Sequence, residues 1–319
     1  MAYQNVGTPR FYIDHGLWLS SIGEIATNHF IQLNPTNFIE TDTEYIIIPR
    51  VAPITYIAYL GLYEGVLVYP QWSTVGAYMG DGDININGGT YESYLALGGE
   101  PNVPFGGWCL TTFSDNEDEA ECWGIIGSGG YGAISIGSYY DMPNSPNLSL
   151  TMSREYGGVK EFTTHNGSSM SNTMWSSAPQ WGNLSAWAIG DSNPALSANG
   201  RRSWDLTFSY MDDGDLWSSN AHLGTGDWGL QDSSLYGDDL YTEGDNTGLF
   251  LYDIITDDSF FSQVWHKTLG GTLPFIFQPD SSNSNPDQFA ICRFKDNSLK
   301  ATQSAFNVYD ISLSIEEVW

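Results

Sequence analysis

The chain has 319 residues, with 38 acidic and 10 basic side chains and a formal charge of −28. That balance argues against binding the phosphate backbone of nucleic acids, which relies on Lys and Arg, and against anionic membrane surfaces. Because 41% of residues are hydrophobic and 14% aromatic, while only 15% are charged, the chain can bury ample apolar surface and does not read as disordered.

No run of about 18 apolar residues occurs, so no membrane insertion is expected. Met1 to Asn5 lacks a basic stretch leading into an apolar core, so no secretory signal is expected. The three cysteines, Cys109, Cys122 and Cys292, are too few for a disulfide scaffold. Together these features suggest a chain that matures in a reducing cytosol. The five histidines, at positions 15, 29, 165, 222 and 266, are scattered.

Along the chain, turn residues separate short runs rich in Val, Ile, Tyr, Thr, Phe and Trp, which is an all-β signature. A short helix is possible at Leu17–Ile22, bracketed by Gly16 and Gly23. Strands are expected at Tyr45–Ile48, Ile54–Leu60, Val66–Tyr69 and Ile134–Ile136. Between them, Gly107–Phe113 and Glu121–Gly124 read as a hairpin around an acidic tip at Ser114–Glu119. In that register Cys109 faces Cys122 and Trp108 faces Trp123, and opposed aromatics would stabilise the pair. The two thiols would then be close enough to bridge, or would stay reduced as small buried hydrophobes.

Residues 141–200 are the most loop-like stretch, dense in Ser, Asn, Gly and Pro. Beyond it, Trp204, Leu206, Phe208 and Tyr210 alternate with Asp205, Thr207 and Ser209, as in a half-buried strand. A helix is expected near 257–268, with Thr256 as N-cap and Asp257 and Asp258 at the positive end of its dipole. Phe260, Phe261, Val264, Trp265 and Leu269 would form its apolar face, and Gly270-Gly271 would end it. Leu273–Gln278, Gln288–Phe294 and the alternating Ile311, Leu313 and Ile315 read as the closing strands. The expected architecture is mainly β: two or three sandwich-like or barrel-like domains with this one short amphipathic helix. Their intervals are 1–105, 106–200 (glycine- and serine-rich, carrying the acidic-tipped hairpin) and 201–319.

Candidate chemistry is sparse. Asp81, Asp83, Asn85, Asn87 and Glu92 fall at positions 1, 3, 5, 7 and 12 of a calcium-loop spacing, where hard oxygens could wrap Ca²⁺. Position 6 is Ile86, where the sharp turn requires Gly, and the same alternation fits a strand and a polar turn. Otherwise no cofactor is expected. Acid pairs at Asp212-Asp213, Asp238-Asp239 and Asp257-Asp258 could serve a glycosidase or simply form turns. No Gly-x-Ser-x-Gly elbow, Walker-type loop or His/Cys metal motif occurs, so the chain is not expected to be an enzyme. Trp175, Trp181, Trp217, Trp228 and Trp319 are candidates either for assembly contacts or for stacking on glycan rings.

Residues 201–319 carry a recognisable order. Arg201 to Trp217 is a strand with an acidic turn, and Thr256 to Trp265 is a helix. Leu273-Pro274-Phe275-Ile276-Phe277-Gln278-Pro279, Phe289 to Phe294 and Val308 to Trp319 are strands. This order, with Gly7-Thr8-Pro9-Arg10-Phe11-Tyr12 at the start, resembles virion structural proteins of marine tailed bacteriophages, tail or tail-tip components above all. The resemblance implies a non-enzymatic subunit of the tail, tail tip or fibre attachment, located in the virion and assembled in the host bacterial cytoplasm. Its partners would be copies of itself and other virion proteins. A glycan-binding module that recognises a host surface, or a capsid decoration or adaptor protein, are the alternatives.

Overall fold

A computed structural model describes residues 6–23, 39–49, 54–62, 67–73, 91–94, 107–113, 122–131, 133–155, 161–171, 180–181, 184–185, 201–217, 257–283 and 288–318. The chain is mainly β. Its described strands, in order, are β1 (Arg10–Asp14), β2 (Ile39–Pro49), β3 (Tyr56–Leu62), β4 (Leu67–Ser73), β5 (Tyr91–Tyr94) and β6 (Gly107–Phe113). Next come β7 (Cys122–Tyr131), β8 (Ala133–Asp141), β9 (Thr151–Glu155), β10 (Glu161–Thr163), β11 (Ser169–Ser171) and β12 (Gln180–Trp181). The last are β13 (Leu184–Ser185), β14 (Arg201–Asp212), β15 (Phe275–Gln278), β16 (Ala290–Phe294), β17 (Ala301–Ala305) and β18 (Val308–Glu317).

Eleven strands form one sheet in the order β5-β6-β3-β8-β1-β15-β16-β18-β14-β9, with β17 added to β18. A three-stranded sheet, β2-β7-β4, and the pairs β10-β11 and β12-β13 stand apart from it. The intervals 1–105, 106–200 and 201–319 all contribute strands to the large sheet. Its centre joins the two ends of the chain, because β1 lies between β8 and β15.

Burial on both faces explains why the central strands are continuous apolar runs rather than alternating ones. Phe11 and Ile13 enter one core cluster with Phe275, Phe277, Phe260 and Phe294. Tyr12, between them, enters the opposite cluster with Tyr56, Ile276 and Ile291. Phe11 lies 5.2 to 5.9 Å, centroid to centroid, from the rings of Phe260, Phe275, Phe277 and Phe294. Towards the sheet's end the period returns to two. In β14, Trp204, Leu206 and Phe208 are buried and Asp205 is exposed, as the alternation predicts.

The expected hairpin does not form. β6 pairs with β3 and β5, so Cys109 stands opposite Tyr59. β7 pairs with β2 and β4, so Cys122 stands opposite Pro49 and Ser73, and Trp123 opposite Ile48 and Trp72. The cause is pairing length. β7 finds ten registered partners in β2 and seven in β4. Closing a longer loop costs little extra entropy, so longer ladders outcompete a short local one.

The described helical segments are short. α1 (His15–Ile22) is capped by Asp14, whose side chain accepts from the Leu17 amide, and is closed by Gly23. α2 (Asp213–Leu216) is a single turn capped by Asp212. The helix expected near 257–268 is α3 (Phe261–His266), shorter and wound as a π-helix. Past its end the chain closes in a Schellman-type cap, with the Gly270 amide bonding to the Trp265 carbonyl, the Leu269 amide to the His266 carbonyl, and Leu269 at a left-handed φ of 51°. α3 is not simply amphipathic either. Beside Phe260, Val264 and Trp265 it buries Ser262, and Ser259, Lys267 and Thr268 are buried next to it. Asp257 accepts from Ser259 and Ser262 ahead of the helix, whose N-cap position, Phe260, makes no side-chain cap bond, while Thr256 lies outside the described residues. Gly270 and Gly271 do end the segment, both at left-handed φ (+69° and +84°), where a Cβ on Gly271 would press into Phe294.

Candidate functional site

Two places carry features beyond packing: a buried polar cluster at the sheet's centre and an exposed, acid-poor stretch at its end.

The buried cluster begins where β1 runs into α1. Asp14 Oδ1 caps the helix by accepting from the Leu17 amide at 2.8 Å, while its Oδ2 has no partner. Burial pushes the Asp14 carboxyl up to about 7. His15 is fully buried, and its Nε2 lies 2.9 Å from Ser138 Oγ on β8. Burial, and then the charge of Lys267, hold His15 well below its usual range, so it is neutral. Lys267 is itself buried, donating from Nζ to Gln263 Oε1 at 2.8 Å. Trp18 stands edge-on to His266 at 5.9 Å, and its indole N–H is unpartnered. Gly137 makes the arrangement possible, because a Cβ there would fall on the Ile13 carbonyl and crowd the His15 amide.

Ser, His and Asp together suggest a nucleophile relay, but the relay is not closed here. Its histidine must donate from Nδ1 to the carboxylate. His15 Nδ1 and Asp14 Oδ2 both lack partners, so they do not bond each other. Asp14 and His15 are 3% and 0% exposed, inside the packed sheet. The geometry supports a proton-holding interior more than a reaction centre.

The exposed stretch follows β8. Four of the eight large hydrophobics exposed among the described residues fall between 148 and 170: Leu148, Met152, Phe162 and Met170. Phe162 and Met170 face each other across the β10–β11 pair, every residue of which is exposed. Charge sets this stretch apart too. Residues 142–203 hold three acids and four bases, whereas the rest of the chain holds 35 acids and six bases. Sequence reading noted the loop-like composition here but missed the charge asymmetry, which the sequence displays openly.

The expected sites are dispersed. Asp81, Asp83, Asn85 and Asn87 lie outside the described residues, and Glu92 lies in β5 opposite Thr112. No group of three potential metal ligands occurs among the described residues. Trp175, Trp228 and Trp319 also lie outside them, and Trp181 sits in β12 opposite Leu184. Trp217 is half-buried against the core, 5.9 Å from the Phe261 ring. Asp212 caps α2, Asp257 accepts from Ser259 and Ser262, and Asp238-Asp239 falls outside the described residues. Among the described residues, no helix is long and apolar enough to cross a membrane. Comparison with protein-family models, curated proteins and solved structures finds no match.

Proposed function

We propose that the chain is a non-enzymatic structural subunit of a tailed-phage virion, a tail, tail-tip or fibre-attachment component that works by assembly. The observation that carries this reading is the gathering of exposed Leu148, Met152, Phe162 and Met170 on the one long acid-poor stretch of a strongly acidic chain. Large apolar side chains exposed this densely along one interval, two of them paired across β10 and β11, suit association. Like-charged copies can approach most closely where acid is scarce. Its partners are copies of itself and other virion proteins, and its place is the virion. Size-exclusion chromatography with light scattering is the test. Assembly into a defined oligomer, strengthened by added salt, is the expected result, and a monomer at high concentration and near-physiological salt refutes the reading.

A second reading, glycan binding, is favoured by one feature. Tyr210 and Phe306 are 80% and 88% exposed. They project from turns tied together by the Asp213 amide bonding to the Asn307 carbonyl at 3.0 Å and the Tyr210 amide to Asp310 at 3.1 Å. Tyr210 holds a left-handed φ of 62° at a bulge between β14 and β18. Glycan-array binding lost on Tyr210→Ala or Phe306→Ala would establish recognition, and an array without hits would remove it.

A further inference from the structure

We propose that the β10–β11 hairpin, residues 161–171, is a docking arm, and that its occupant is the same hairpin of a second copy, packed face to face about a two-fold axis. This deepens the assembly reading above and rests on it.

The hairpin is built as a free-standing piece. β10 and β11 pair with each other and with no other strand among the described residues. Ten of the eleven residues from 161 to 171 are exposed. Local bonds close the turn. The Thr164 amide donates to the Ser168 carbonyl at 2.8 Å, the Gly167 amide to the Thr164 carbonyl at 2.9 Å, and the Ser168 amide to Thr164 Oγ1 at 3.1 Å. Gly167 supplies the left-handed φ of 82°. The turn thus fixes the register, and what the hairpin lacks is cover. Two strands alone are marginal in water and need an apolar face packed against something. Here that face is Phe162 and Met170, directly opposite each other and 55% and 51% exposed.

Charge and shape select the occupant. Alternation puts Phe162 and Met170 on one face, and Glu161, the hairpin's one acid, on the other with Thr163, Ser169 and Ser171. The apolar face therefore carries no charge for an ionic partner to match. Two copies, each at −28, repel wherever their acidic surfaces meet. An arm within 142–203, an interval of three acids and four bases, lets them touch where acid is scarce. The face also matches itself. With the axis along the strands, each Phe162 ring lies over the other copy's Met170, and a thioether against an aromatic ring is a favourable contact. That contact is made twice, as an isologous interface requires. The four side chains offer roughly 100 Å² each, well under the roughly 1,000 Å² of a stable dimer, so the contact is weak and reversible.

The test is sedimentation velocity of the full chain over about a hundredfold range of concentration at about 0.5 M NaCl, where the Debye length is roughly 4 Å. Wild type should associate reversibly as concentration rises. Phe162→Ser and Met170→Ser should each weaken association by roughly tenfold or more, while Phe162→Met/Met170→Phe, which keeps ring over thioether, should stay within roughly threefold of wild type. Unchanged circular dichroism and urea midpoints exclude misfolding, because both positions are exposed and lie outside the large sheet. Mixing decides the occupant. Labelled wild type should gain no mass from an excess of Phe162→Ser/Met170→Ser protein, which presents no matching hairpin. If wild type binds that variant as well as it binds itself, another surface of the second copy is the occupant and the proposal is overturned. A swap that associates as poorly as the Ser variants overturns the ring-over-thioether packing. If wild type associates and the Ser variants do so equally well, the hairpin is not the contact, although the assembly reading stands. If wild type stays monomeric throughout, the hairpin and the assembly reading fall together.

Discussion

Replacing Asp14 with Asn isolates the buried carboxyl at the sheet's centre. Asn is a comparable helix cap and keeps an oxygen to accept from the Leu17 amide. The folded protein raises the Asp14 carboxyl from its ordinary 3.8 to about 7, chiefly by burial. Between those two values the folded state holds a proton that the unfolded state has released. Stability therefore falls as pH rises through this window, by about 1.4 kcal/mol per pH unit, or about 4 kcal/mol in all. Because the chain has an isoelectric point near 4.1, the practical range begins near pH 5. From there to pH 7 the wild type loses about 2 kcal/mol that Asp14→Asn does not, and above about pH 8 the difference is flat. General repulsion among the acids also lowers stability with pH, but it is nearly common to both proteins and cancels in the difference. His15 works in the opposite direction, since a buried neutral histidine destabilises as pH falls, and it too is shared. The assay is urea unfolding of both proteins at half-unit steps from pH 5 to 8.5. A stability difference that does not change with pH, or a variant less stable than wild type at pH 8, refutes the reasoning.

Two further substitutions test the packing. Phe11→Ala empties a ring position surrounded by four others and should cost about 3–5 kcal/mol. Because β1 joins β8 to β15, hydrogen exchange should rise at both strands together, and a change confined to one side would deny that they share a core. The Arg202–Glu317 pair, 12% and 5% exposed, also binds the Phe289 carbonyl through Arg202. Removing either partner alone should cost roughly 3 kcal/mol or more, because it strands a buried charge, whereas Arg202→Met/Glu317→Leu should cost clearly less than the two singles combined. Strict additivity in that double-mutant cycle by urea denaturation would show that the pair is not coupled.

The legible parts of the fold were those with a local period. β14 and β18 alternate in sequence, and burial follows that alternation at Trp204, Leu206, Phe208, Ile311, Leu313 and Ile315, but fails at Tyr210, which a bulge turns outward while Met211 is buried in its stead. The Gly270-Gly271 stop was visible for the same reason, since it acts within one turn of chain, whereas the caps Asp14 and Asp212 were not read from sequence. The hairpin around 114–119 was misread because its symmetric Cys and Trp spacing is a local signal, and the strands answered to longer partners elsewhere. Neither candidate site announced itself as a motif. Asp14 and His15 are ordinary neighbours until β1 is placed mid-sheet, and β9 has no hydrophobic period because it is exposed throughout.

The sequence by itself determined the β class, the acid excess and the acid-poor interval at 142–203, because these follow from composition and from periods shorter than a strand. Tertiary structure alone decided which strand lies at the centre and which at the edge. Burial and pairing are properties of distant neighbours. The same short run becomes core when flanked on both sides, as β1 is, and stays exposed when, among the described residues, it is flanked on one, as β9 is.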